Sequence, residues 1–373
     1  MSDQTPYHAE YLSKLGQMSV TVQVQTDLKL QQVLDIKLIS IDTMSININD
    51  DGNNIKSPLQ IRLPVCISQF SIKSARVVGR NLALSLSVQT IEKCDENEKA
   101  SNEIVDDLWS CKWLKSETPT IDKKNVFQFV CFKCKHLLIN SQNHVFKDMP
   151  NEYWYELMDF WHCHKPETGE FNDKNFNTLK PSDNATVLIG SYYLLQLHNE
   201  YLEISKLDPS VYICRNCGNE IGEKYQNIVR LLKWHISLQR LELLGRDVVF
   251  LDYNPLLYCI GLLKNKVNSL AIRKFQIEKN DKHHYIDGPM YIWIISTEVD
   301  VTINGSTIHD GLKIWYTTQE LPPDEATGYE EIEIPYKEAR DSFFATVKKN
   351  TIKNDMSIKG SIFSESYIGV QRK

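Results

Sequence analysis

The chain has 373 residues, enough to bury a sizeable core as one large domain or two smaller ones. With 42% hydrophobic and 24% charged residues it reads as globular and not disordered. Its net charge of −6 excludes a broad nucleic-acid-binding face, which needs clustered Lys and Arg; direct nucleic-acid binding is expected to be weak or absent. Residues 1–15 lack the apolar run of a signal peptide, and no stretch approaches the roughly 18 consecutive apolar residues of a membrane span. No membrane association is expected, and the chain is placed in the nucleus and cytoplasm. In that reducing setting, nine cysteines point to metal ligation or free thiols and not to a disulfide framework.

From 20 to 89 the sequence predicts strands. Alternation runs through 21–25, 39–42 and 45–49; a turn cluster, Asp50-Asp51-Gly52-Asn53-Asn54, is followed by 61–64, and 82–88 closes the set. These 94 residues form a β-rich N-terminal region (1–94). An acidic polar connector, 95–120, comes next, its most polar part at 95–107. The region 121–345 is predicted to be a mixed α+β region. In it, Pro150, Asn151 and Glu152 open a helix whose Trp154, Leu157, Met158 and Trp161 recur at helical spacing, a stripe read as core. A polar loop spans about 167–184.

Further on, Leu232, Trp234, Ile236 and Leu238 alternate with polar residues and predict one half-buried strand. Residues 255–268 can be helical, 273–277 reads as a strand, and 299–308 spells a hairpin around Asn304-Gly305. A mildly basic tail, 346–373, ends the chain. The fold class is α+β, mostly antiparallel strands with a few helices.

Two Cys-x-x-Cys knuckles, Cys131/Cys134 and Cys214/Cys217, are the sharpest local features. Two thiolates at this spacing can face one ion, and two knuckles complete a tetrahedral set of four sulfurs, the donor set of structural Zn2+. Eighty residues between knuckles is tolerable, because closure entropy grows slowly with loop length. A redox dithiol would need a helix directly after the motif, and neither knuckle predicts one. Cys163 or His164, in Trp161-His162-Cys163-His164, could replace one knuckle ligand; Cys163 is also the candidate for an activated thiol beside histidines. Cys66, Cys94, Cys111 and Cys259 read as isolated. No phosphate-binding Gly-rich loop, nucleophile elbow or His-Glu-x-x-His motif occurs.

Taken in order, the first knuckle, the Pro150–Trp154 helix start, the Trp161–His164 segment, the apolar run 187–195 with its Gly190, and the second knuckle through Gly222 resemble the HECT-like ubiquitin-conjugating-enzyme-binding family. The likeness is strongest over 127–225 and weaker through 320, and it points to a fungal branch implicated in pre-mRNA 3′-end cleavage and polyadenylation. The resemblance implies two partners: a ubiquitin-conjugating enzyme, and the metallo-β-lactamase-type endonuclease of 3′-end processing. It also implies ubiquitin ligase activity. The residues oppose that part, since a HECT thioester forms on a cysteine near the C-terminus and no cysteine follows Cys259. A RING mechanism needs eight zinc ligands, which the sequence lacks. No catalytic residue is therefore assigned; a ligase would have to use Cys163.

Overall fold

A computed structural model describes residues 5–49, 58–91, 108–118, 120–121, 124–150, 180–225, 228–240, 249–278 and 289–372. The predicted helix carrying Trp154 and Trp161, the 95–107 connector, Cys94, Cys163 and His164 lie outside them. The described residues are mostly antiparallel strands with a few helices, as the alternation patterns predict. The chain separates into two compact units, one built from 1–102 and 259–373 and the other from 103–258.

The first unit is organised on a large sheet to which both ends of the chain contribute. Strand Tyr7–Leu12 lies between Gln17–Gln23 and Met290–Ile303, antiparallel to each. Beyond Met290–Ile303 follow Ser306–Thr317, Ser361–Ile368 and Ile352–Ile358; on the other side lie Asn81–Thr90 and Ile67–Val78. The predicted hairpin is present, its Asn304 and Gly305 at φ 48° and 86°, the left-handed pair a tight two-residue turn demands. Its strands run well past the predicted bounds, because Tyr291, Ile292, Ile294, Leu312 and Ile314 are all buried.

A three-stranded sheet, Val33–Ser40, Thr43–Ile48 and Leu59–Arg62, joins Met18, Val20, Leu84 and Leu86 of the large sheet in one apolar core. The strand expected through Asp42 stops at Ser40. There the Asp42 carboxylate accepts from the hydroxyls of Ser40 (2.6 Å) and Thr43 (3.0 Å), fixing a turn in place of another extended pair. Helix Lys337–Lys349 packs on Ser361–Ile368 through buried Phe343 and Val347. The 352–368 segment thus belongs to the sheet, and its Tyr367 is fully buried.

An ionic network is enclosed in this unit. The Lys313 ammonium lies 2.7 Å from Glu10 and 3.0 Å from Glu365, and the Tyr367 hydroxyl reaches the same two carboxylates at 2.9 and 2.8 Å. His8 sits beside them. Burial, with Lys313 adding to it, holds its imidazole below the ordinary range against the pull of Glu365 and Glu10. A histidine shifted this way binds its proton more readily when unfolded, so its contribution to stability is lost as pH falls below about 6.5. His8→Gln should flatten that part of a stability-against-pH curve measured by denaturant unfolding. An unchanged slope would remove His8 from the account.

The second unit contains two sheets. One has the order Leu137–Asn140, Phe127–Cys131, Ile236–Arg240, Val249–Asp252. The other runs Val145–Asp148, Thr186–Ile189, Tyr193–Gln196, Ile228–Leu232, Glu220–Tyr225, Val211–Cys214, Leu202–Ile204. Helix Cys111–Glu117 is capped by Ser110, whose hydroxyl accepts from the Trp113 amide. Trp109 and Phe129, both fully buried, meet at 5.4 Å.

The single strand expected across 232–239 is instead two, Ile228–Leu232 and Ile236–Arg240, joined by a 3-10 turn at Lys233–His235. Two of the four polar residues of that stretch, Lys233 and Ser237, do not face water as alternation implied. Lys233 is 1% exposed, its ammonium bonded to the carbonyls of Leu108 and Ser191 at 3.0 Å each, and Ser237 is fully buried. Satisfying a buried ammonium with carbonyls is what lets a lysine occupy a core position. The chain returns to the first unit along helix Leu256–Leu270, in the place the sequence predicts a helix.

Candidate metal centre

Each Cys-x-x-Cys motif turns the corner of a β-hairpin: the first joins Phe127–Cys131 to Leu137–Asn140, the second Val211–Cys214 to Glu220–Tyr225. No helix follows either motif, which removes the thioredoxin-like reading. The two corners are built alike. The Cys131 amide donates to the His136 carbonyl and the Lys135 amide to the Cys131 carbonyl, at 2.8 and 2.9 Å. In the second corner the Cys214 amide donates to Asn219 and the Gly218 amide to Cys214, both at 2.8 Å. Each hairpin also shifts register just ahead of its first cysteine, between Phe129 and Val130 and between Tyr212 and Ile213.

The residue after each second cysteine is left-handed, Lys135 at φ 56° and Gly218 at φ 68°. Glycine meets that demand freely, whereas a lysine there costs about 1–2 kcal/mol. Contacts hold Lys135 in place: its ammonium donates to Ser237 at 2.8 Å and stands 4.9 Å from the ring centres of Phe132 and Phe250. Residue-by-residue reading of the sequence passes over Lys135; aligning it with Gly218 would have exposed its role.

The two corners, from different sheets of the same unit, bring Cys131, Cys134, Cys214 and Cys217 together, with all four sulfurs within 4.8 Å of one another. The Sγ atoms of Cys131 and Cys217 are 3.7 Å apart, as are those of Cys134 and Cys214. A tetrahedron of sulfurs about 2.3 Å from a central zinc has edges of about 3.8 Å, so these spacings fit four-coordinate zinc. Cys131 and Cys214 are buried, Cys134 and Cys217 partly exposed.

The surroundings treat the four thiols unequally. Burial pushes Cys131 up and Cys214 up to about 12, although backbone amides of Lys133 and Cys134 donate to the first sulfur and those of Asn216 and Cys217 to the second. Cys134 moves down to about 6: burial opposes this, but the Asn216 side chain, the His136 amide and the Cys217 and Cys214 thiols donate to its sulfur. Asn216 therefore ties the second corner to a sulfur of the first, a contact with no sequence signal. Four thiolates in this space repel one another unless a cation sits among them; the set could hold a metal ion. Among the described residues no other such group of His, Cys, Asp and Glu forms.

The remaining described cysteines are dispersed. Cys66 is disulfide-bonded, unlike the isolated residue expected. Burial and neighbouring Asp148 push Cys111 up to about 11, and the fully buried Cys259 is shifted up by its burial. Gly190, in the apolar run singled out in the sequence, is packed under Tyr193: an added Cβ would lie 2.6 Å from that ring.

A family model of HECT-like ubiquitin-conjugating enzyme (E2)-binding proteins matches residues 10–353. The chain belongs to this family. The match spans both units and includes all four knuckle cysteines. Membership in a HECT-like E2-binding family supports a ubiquitin-conjugating enzyme as a partner. An uncharacterized protein of Saccharomyces cerevisiae is 26% identical over 321 residues, covering 83% of each chain. Among solved structures, a C-terminally truncated small heat shock protein AgsA from Salmonella typhimurium covers 24% of this chain and 93% of its own, at 14% identity and a TM-score of 0.18. That similarity is too low to inform the fold.

Proposed function

We propose that this chain is a zinc-containing, ubiquitin-conjugating-enzyme-binding protein that also engages the pre-mRNA 3′-end cleavage endonuclease and regulates its level or activity. The family match over 10–353 is the observation that carries the reading. Zinc is the metal inferred from four cysteine sulfurs at tetrahedral spacing. Its task is structural: four protein ligands leave no open position for substrate, so the ion fixes two hairpins and with them the surfaces around them. The endonuclease enters only through the resemblance to the fungal branch, and it is the part of the proposal most exposed to test.

Binding is favoured over ubiquitin transfer. Transfer needs an accessible thiolate, and outside the four-cysteine cluster the described cysteines are disulfide-bonded (Cys66), shifted up by burial (Cys111) or enclosed (Cys259). The test is a pull-down with wild-type and Cys131→Ser/Cys134→Ser protein against a panel of charged ubiquitin-conjugating enzymes and the endonuclease. The wild type should retain both partners without acquiring a reductant-sensitive ubiquitin adduct, and the metal-free variant should lose capture. Such an adduct, abolished by Cys163→Ala in a folded protein, would establish a ligase. Capture of a conjugating enzyme without the endonuclease would remove the 3′-end processing arm.

A further inference from the structure

Two sulfur–sulfur approaches of 3.7 Å cross between the corners, and each joins a buried sulfur to a partly exposed one: Cys131 with Cys217, and Cys214 with Cys134. We propose that this arrangement is a peroxide-sensitive latch, in which oxidation releases the metal and replaces it with two disulfides, Cys131–Cys217 and Cys134–Cys214. The inference rests on the zinc reading above.

The chemistry divides the labour by exposure. In each pair the partly exposed thiolate, Cys134 or Cys217, is the one a peroxide reaches. Its sulfur attacks one peroxide oxygen, the O–O bond breaks, hydroxide leaves, and a sulfenic acid forms. The buried thiolate across the cluster then attacks that sulfur; the S–O bond breaks and a second hydroxide leaves as the disulfide closes. Each disulfide consumes one hydrogen peroxide and two thiolates and yields two hydroxides. Two disulfides consume all four ligands and free one Zn2+. The sulfurs need to approach from 3.7 Å to the roughly 2.05 Å of an S–S bond.

The pairing has a structural consequence. Bridges within a corner would leave the two sheets unlinked once zinc departs. Bridges across the corners keep them joined, so the oxidised unit retains its fold and returns to the metal-bound state on reduction with zinc present.

The sequence makes the pairing readable, because Lys133 separates Cys131 from Cys134 and Arg215 separates Cys214 from Cys217. Trypsin therefore places the four thiols on four peptides, 125–133, 134–135, 207–215 and 216–224. The full-length zinc-loaded protein is titrated with hydrogen peroxide, released zinc is followed with a chelating dye, and non-reduced tryptic peptides are mapped by mass spectrometry. The expected result is loss of the single zinc at about two peroxides per chain, with 125–133 joined to 216–224 and 134–135 joined to 207–215. Zinc retained under excess peroxide, or 125–133 joined to 134–135, would overturn the latch while leaving the zinc reading intact. Protein that purifies folded but without zinc would overturn both.

Discussion

Cys214→Ser is expected to strip the metal and lower the stability of the 103–258 unit by at least about 3 kcal/mol. Structural zinc contributes folding free energy directly, with apparent values of roughly 10–16 kcal/mol in zinc-finger peptides, and Cys214 is fully buried with two amides aimed at its sulfur. For a unit of 156 residues (258 − 103 + 1), that loss corresponds to a fall in Tm of roughly 6–12 °C. A chelator should move the wild type toward the same melting curve and leave Cys214→Ser nearly unchanged. Cys259→Ser is the control, since Cys259 is buried in the other unit and its replacement should not alter metal content. Metal analysis beside thermal melting decides the matter: equal Tm for wild type and Cys214→Ser, with no metal in either, would end the structural-zinc reading.

Lys313→Met should cost about 3–5 kcal/mol, the scale set by breaking a buried charge pair from one side. The substitution leaves Glu10 and Glu365, whose side chains are each 7% exposed, sharing the Tyr367 hydroxyl without the ammonium that neutralised them. Adding Glu10→Gln and Glu365→Gln to Lys313→Met should recover much of the loss, because no charge then remains enclosed. The wild-type network also has a pH signature. Burial lowers the Lys313 pKa, but Glu10 and Glu365 outweigh it and raise the folded value above 10.5. Its contribution is therefore complete below the unfolded pKa and is lost as pH rises through the folded one. Denaturant unfolding of the single and triple variants measures this. A triple variant no more stable than Lys313→Met would show that lost packing, and not stranded charge, sets the cost.

Local patterns in the sequence identified most strands of the first unit and the four sulfurs of the cluster, because alternation and Cys-x-x-Cys spacing are properties of neighbouring residues. What they concealed depends on distant residues. Lys233 looked solvent-facing until the carbonyls of Leu108 and Ser191 supplied its partners, and it opens the 3-10 turn that divides the expected 232–239 strand. Asn216 is one asparagine among many until the second corner folds against Cys134. Glu10 and Glu365 are 355 positions apart (365 − 10), and nothing near either marks them as partners of one lysine. The kinship of the two corners was legible in part: Gly218 announced a left-handed position, while Lys135 reaches the same conformation through its side-chain contacts.

The pairing of Tyr7–Leu12 with Met290–Ile303 has a consequence for how the protein is made. A ribosome adding about 5–20 residues per second needs on the order of 15–60 s to travel from the first of these strands to the second. Throughout that interval Tyr7–Leu12 can pair with Gln17–Gln23, and its buried Ala9 and Tyr11 can pack with Met18, Val20 and Leu84, but its other edge has no native partner. The intervening unit, with the four clustered cysteines all inside it, emerges whole and is free to close first. Nascent chains should accordingly display an unsatisfied strand edge at their amino end until the last third of the message is read. That exposed edge is where a chaperone would be required, and where slow translation would first produce aggregates.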